Sequence, residues 1–133
     1  MKAELHGIQM IATERVRQVA EKDYSAGHED GHDGGELAMA AACYASPCSL
    51  YVFERDGDEE LRFIDPWPFD ASEDLRAKIR RSLTMPQRDG EGLRLTPLAW
   101  RIQLLAKAGA LVAAEIDRLV RIGESSQNSE EGE

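Results

Sequence analysis

The sequence has too few cysteines for a disulfide framework, no apolar run long enough to span a bilayer, and no excess of basic residues. Each absence removes a class. The two cysteines, Cys43 and Cys48, have neither CxxC spacing nor the second pair that a zinc site needs. They read as free thiols, buried or half-buried, in a reducing cytoplasm. Without a stretch of about 18 apolar residues there is no membrane span. Met1 to Met10 carries charges where a signal peptide has its apolar centre, which predicts that the chain is not exported. A net charge of −9 is the wrong sign for nucleic acid, whose phosphates need a basic surface. A P-loop, a dinucleotide fingerprint, a GxSxG elbow and a catalytic-cysteine pattern are also missing, as is any internal repeat.

What is present is a chain of 133 residues, 42% hydrophobic and 31% charged, which is enough for one globular domain with its own core. The pattern predicts a mainly α fold of three to four packed helices, with one β-hairpin laid against one side. Ile8, Ile11, Ala12, Val16, Val19 and Ala20 recur at helical spacing. They place a first helix over about Gly7 to Lys22 and form one apolar stripe, the face such a helix normally buries. Four glycines make Ser25 to Gly35 a loop. Asp33, followed three residues later by Glu36, resembles a capping box. It starts a second helix at about Gly34 that stops at Ala45, before Ser46 and Pro47. The small-residue body ELAMAAACYA of this helix allows close approach all round and points to a central position.

Leu50 to Phe53 and Leu61 to Ile64 read as the strands of a hairpin around Asp56-Gly57. Prolines hold Asp65 to Phe69 extended. Ser72 is positioned to cap a short helix to about Leu83, and Pro86 to Leu95 is a surface loop. Thr96 and Pro97 begin the last helix, which Gly123 is placed to end. Within it, Leu104 to Ala114 is apolar on every face except for Lys107, so this stretch is expected to be largely buried. The domain is therefore residues 1–123, with a disordered acidic tail over 124–133.

Lys107 is the most informative residue. A lysine in an apolar helical segment has to meet a carboxylate, meet a ligand anion, titrate, or extend to solvent. Glu14 and Glu36 are candidate partners. The segment HEDGHD packs His28, His32 and three acids into six residues, which are side chains that hold zinc, manganese, iron or magnesium. It also reads as a solvated loop with a helix cap, or as a loop that touches ligand directly. The helix start at Gly34-Gly35 suits an anion, yet Glu29, Asp30 and Asp33 oppose one. Glu14, Glu36, Glu115 and Asp117 lie on three helices, and carboxylates that converge in a bundle can hold metal. Tyr44, Trp67 and Phe69 form either a wall for a base or ordinary packing, and Trp100 reads as core.

Thr13-Glu-Arg-Val-Arg-Gln18, HEDGHDGGELA, Ala42-Cys-Tyr-Ala45, Pro66-Trp-Pro-Phe69 and LAKAGALVAAEIDRL, in this order, resemble a family of small phage and prophage accessory proteins. Tyr24 stands where a Gly-Trp pair is expected, and Ala71 to Leu95 is longer than usual. The resemblance implies a phage accessory role in the cytoplasm of a bacterial host. It implies binding and sequestration of a nucleotide-derived small molecule, as counter-defence sponges do with nucleotide immune signals. Arg15, Gln18, His28, His32, Tyr44, Trp67 and Lys107 are then the expected ligand contacts. No cofactor is needed, and a homo-oligomer is expected. A second similarity, in style, is to the all-helical MazG-type nucleotide pyrophosphohydrolases. It implies magnesium or manganese on Glu14, Glu36 and Glu115, although that family's Glu-Glu-x-x-Glu signature is not present. A third reading is an inhibitor that binds a host protein through its acidic surface.

Overall fold

The computed structural model describes residues 5–21, 31–55, 57–58, 60–82 and 97–131. Within them the chain forms α1 (His6–Glu21), α2 (Glu36–Ala45), β1 (Val52–Arg55), β2 (Leu61–Ile64), a 3-10 turn (Ala71–Glu73), α3 (Leu75–Ser82) and α4 (Leu98–Glu131). This is the mainly α architecture with one hairpin that the sequence predicts. The expected loop over Pro86 to Leu95, the Thr96 cap and most of the loop before Gly35 lie outside the described residues.

Helix ends follow local chemistry, and several depart from expectation. Gly35 adopts φ +85°, a left-handed conformation that costs glycine little. It, and not Asp33, precedes the first turn of α2. Glu36 reaches back so that its Oε2 accepts the Gly34 N–H at 3.0 Å. Glu36 thus holds Gly34 and not Asp33, so the predicted capping box does not form, and the helix starts two residues late. α2 stops where Ser46, extended ahead of Pro47, leaves the helical region. Arg101 of α4 donates to the exposed carbonyls of Tyr44 (3.0 Å), Ala45 and Ser46, which satisfies the helix end and complements its dipole.

The single helix expected after Ser72 is instead two elements with aspartate caps. Asp70 Oδ1 accepts the Ser72 N–H at 2.8 Å and opens the 3-10 turn. Asp74, extended at ψ 104°, breaks the path and caps α3 by accepting the Arg76 N–H at 2.9 Å. At the other end of the chain, Gly123 does not stop α4. Positive φ among the described glycines is confined to Gly35, so Gly123 lacks the left-handed turn that ends a helix. The segment expected to be a disordered tail continues the helix to Glu131.

α4, not α2, is the central helix, and α2 and α1 pack on different sides of it. Leu37, Ala40, Ala41 and Tyr44 meet Leu104, Ala108, Leu111, Ala114 and Ile79 in the core, with Trp67, Phe69, Leu75 and Trp100 at its edge. The stretch Leu104 to Ala114 is buried on two sides but leaves Leu105 and Val112 open. In the hairpin, Phe53 pairs with Phe63 across antiparallel strands, their ring centroids 4.5 Å apart. Only Val52 and Ile64 are half-buried, so the hairpin does not lie flat against the helices as expected.

α1 contradicts the simplest reading of its sequence. Ile8, Val16 and Val19 are exposed, and Gln18 is the one buried residue of the helix. Apart from Ile11, the apolar stripe faces outward, and the edge carrying Glu14, Arg17 and Gln18 faces inward. Contact with α4 is closest where Ile11 lies on Gly109, at which an added Cβ would sit 2.5 Å from Ile11 Cδ1. Gly109→Val is therefore expected to cost about 1–3 kcal/mol by overpacking. Thermal denaturation checks this, and a second change, Ile11→Ala, is expected to recover part of the loss.

Candidate ligand-binding site

Where α1, α2 and α4 meet the extended segment after β2, they enclose a cleft of about 160 Å³. Its polar wall comes from α1 and α4. The Glu14 carboxylate accepts Lys107 Nζ at 2.9 Å and Arg17 Nε at 2.8 Å. The side chains of Glu14 and Lys107 are 13% and 16% exposed. Lys107 thus has the carboxylate partner that an apolar setting demands, while it also lines the cleft with Arg17 and Lys78. Burial raises the Glu14 carboxyl, but the hydrogen bonds and charges of Arg17 and Lys107 outweigh it and hold the group below the usual glutamate value. Gln18 lies beside this network at 3% exposure. Its Oε1 is buried and has no hydrogen-bond partner.

The aromatic wall comes from Tyr44, Trp67 and Phe69. The Tyr44 hydroxyl donates to the Glu73 carbonyl at 3.2 Å and accepts the Leu75 N–H at 3.1 Å, tying α2 to the start of α3. The Trp67 indole N–H donates to the Asp70 carbonyl at 3.1 Å. Its ring lies 4.9 Å from Tyr44 and 5.7 Å from Phe69, centroid to centroid. Behind it, the Arg76 guanidinium sits 5.5 Å from the ring centre and is fully buried between Asp74 and Asp65, both at 3.0 Å. A buried cation with two carboxylates and a ring face is a rigid support. These rings pack at the core and also line the cleft.

Four of the seven expected ligand contacts, Gln18, Tyr44, Trp67 and Lys107, line this one cleft. Arg15 does not; it pairs with Asp117 at 3.1 Å, and Arg17 takes its place. His32 stands behind the cleft, edge-on to Phe69 at 5.0 Å. His28 lies outside the described residues. Sequence reasoning missed Arg17 and Lys78. The signal for Arg17 was its spacing from Glu14, which sets the two on one edge of α1 together with Gln18.

The expected metal carboxylates do not come together. Glu14 is held by Arg17 and Lys107, Glu36 by the Gly34 N–H, and Glu115 by Arg118 of its own helix at 2.8 Å. Among the described residues, no group of three His, Cys, Asp or Glu side chains is placed to hold a metal ion. The physical reason is that each carboxylate has a nearer cationic or backbone partner. At the Gly34-Gly35 helix start, Glu36 holds the Gly34 N–H, and no side chain caps the first turn of α2. Cys43 and Cys48 are free, and burial pushes the Cys43 thiol up, away from reactivity.

No family model, curated protein or solved structure matches the chain. Among the described residues, no helix is long and apolar enough to cross a membrane.

Because Glu14 is held low in the folded chain, its contribution to stability is complete above the ordinary glutamate range. It is lost as pH falls through the lower, folded value. Glu14→Gln is expected to cost about 2 kcal/mol at neutral pH, by leaving Lys107 and Arg17 without their shared partner. It is also expected to flatten the acid limb of stability against pH. Urea titrations of both chains between pH 7 and pH 3 check both effects.

Proposed function

We propose that the protein binds a nucleotide-derived small molecule in this cleft and sequesters it without turning it over. The observation that carries the reading is Gln18, a buried amide oxygen without a partner, set between three cations and an aromatic wall. An unsatisfied buried acceptor costs about 1–3 kcal/mol, and a ligand donor removes that cost. The N–H groups of a base or the hydroxyls of a ribose supply such a donor. A phosphate suits Arg17, Lys78 and Lys107, and a base suits the faces of Tyr44 and Trp67. The lining carries three cations, Arg17, Lys78 and Lys107, against one carboxylate, Glu73, although the chain as a whole carries −9, and it is the local sign that an anionic ligand meets.

The size of the cleft limits the pose. A cavity of about 150 Å³ holds one benzene-sized molecule, so the enclosed part takes one ring or one phosphate and the rest of the ligand lies along the open side. Trapping of a nucleotide immune signal in a bacterial host is the setting that the resemblance to phage accessory proteins adds.

The test is mass spectrometry of what the purified protein releases on denaturation, with calorimetric titration of mononucleotides and cyclic nucleotides. Gln18→Leu, which keeps shape and charge, is expected to weaken binding at least tenfold while thermal stability is kept. Trp67→Ala is expected to do the same, and chelator to have no effect. Binding that persists in both variants removes the cleft assignment. Binding abolished by chelator replaces sequestration with metal-dependent chemistry.

A further inference from the structure

With the polar edge of α1 turned inward, its apolar stripe is left outside. Leu5, Ile8, Val16 and Val19 are 45–68% exposed. α4 carries a second stripe of Leu98, Ile102, Leu105, Val112, Ile116 and Leu119, each at least 40% exposed. Their spacing alternates four and three, with Gly109 at the missing step. That is the seam of a coiled coil. It is separate from the side that meets α2 through Leu104, Ala108 and Leu111, and it borders the side that meets α1, which covers it at Gly109 and shares a groove with Ile102. The two stripes adjoin. Ile11 sits on Gly109, and the helices run the same way along their contact. Met10 shares a groove with Ala99 and Gln103, and Gln18 shares the cleft with Leu111. One continuous apolar face therefore covers the side of the α1/α4 pair away from the cleft.

We infer that this face is the interface between two copies of the chain. Three observations select a second copy. The first is the heptad spacing, which is self-complementary and carries no charge at any of its positions from Leu98 to Leu119. A two-fold partner presents the same stripe in the same phase. The second is reach. At 34 residues, α4 is about 51 Å long. Between Leu119 and Gln127 every side chain but Arg121 is exposed, including Leu119, Val120 and Ile122, so α4 projects beyond the helices that cover it. The third is area. Ten large apolar side chains, each roughly half open, present on the order of 1,000 Å². A monomer rarely leaves so much exposed, and one partner in a standard interface contributes about 800 Å².

Lys107 lies on the opposite side of α4 from Leu105 and Ile116, so the pairing leaves both clefts open. The inference does not depend on the ligand.

Sedimentation of the full chain from about 1 to 100 µM is expected to give a dimer mass that falls on dilution. Leu105→Lys and Ile116→Lys, made separately, are expected to weaken association at least 100-fold with helical circular dichroism kept. A wild-type chain that is monomeric throughout overturns the inference, and so does a dimer indifferent to both variants. If neither variant folds, the melting temperature of the wild type distinguishes the cases. A rise with protein concentration supports the interface, and independence of concentration overturns it.

Discussion

The Glu14 carboxylate, shared between Lys107 of α4 and Arg17 of its own helix, sets how α1 sits on the rest of the chain. Two cations on one half-buried acid satisfy each other only in a narrow range of geometries, because a buried charge without its partner is far costlier than a displaced apolar contact. An amphipathic helix cannot bury its polar edge and its apolar stripe against the same neighbour. Here the polar edge is buried, and Ile11 on Gly109 supplies the close approach that lets the ion pair form. Both unusual surfaces of the protein follow from this choice. The inward edge gives the cleft Arg17 and the unpartnered Gln18 and holds Lys107 at its wall. The outward stripe joins the apolar seam of α4.

The opposite wall of the cleft is fixed by different means. Arg101 closes the end of α2 over three carbonyls, and Tyr44 ties that helix end to the start of α3. Arg76, buried between Asp74 and Asp65, backs the Trp67 ring. The Tyr44 and Arg101 contacts join residues about 30 to 57 positions apart, and Arg76 gathers Asp65, Trp67 and Asp74 from its own stretch of chain, all through polar groups and not through a large core. A site whose walls are held by satisfied polar contacts is preorganised, and a ligand then loses little in ordering it. Two buried atoms at the site stand outside this satisfaction, Gln18 Oε1 and, behind Trp67, Arg76 Nη1; of the two residues Gln18 lines the cleft, which is why it marks the place for a ligand.

Much of the fold was legible because local signals and tertiary demands agreed. The helical period, the Ser46-Pro47 stop and the prolines around Trp67 each fix a backbone within a few residues. Where two local signals competed, the weaker reading failed. Gly35 outranked Asp33 at the start of α2, Asp70 and Asp74 outranked Ser72, and Gly123 was carried through because α4 keeps right-handed φ there. In the site, Lys107, Tyr44 and Trp67 stand out by their chemistry, as a charge in an apolar segment and as aromatic faces, whereas Gln18 enters only through the resemblance. Arg15 was chosen over Arg17 because composition does not say which edge of a helix turns inward.

The sequence by itself determined the class of fold, the free state of both cysteines, and that Lys107 has to find an anion, lose its charge or reach solvent. Those rest on period, count and the cost of burying a charge, all of which are properties of short segments. Only the tertiary structure decided that the partner is Glu14, that Glu36 and Glu115 stand apart from it, and that the apolar stripe of α1 faces outward. Those depend on which surfaces meet across some 90 residues of chain, and a one-dimensional pattern fixes a face of a helix without fixing what that face touches.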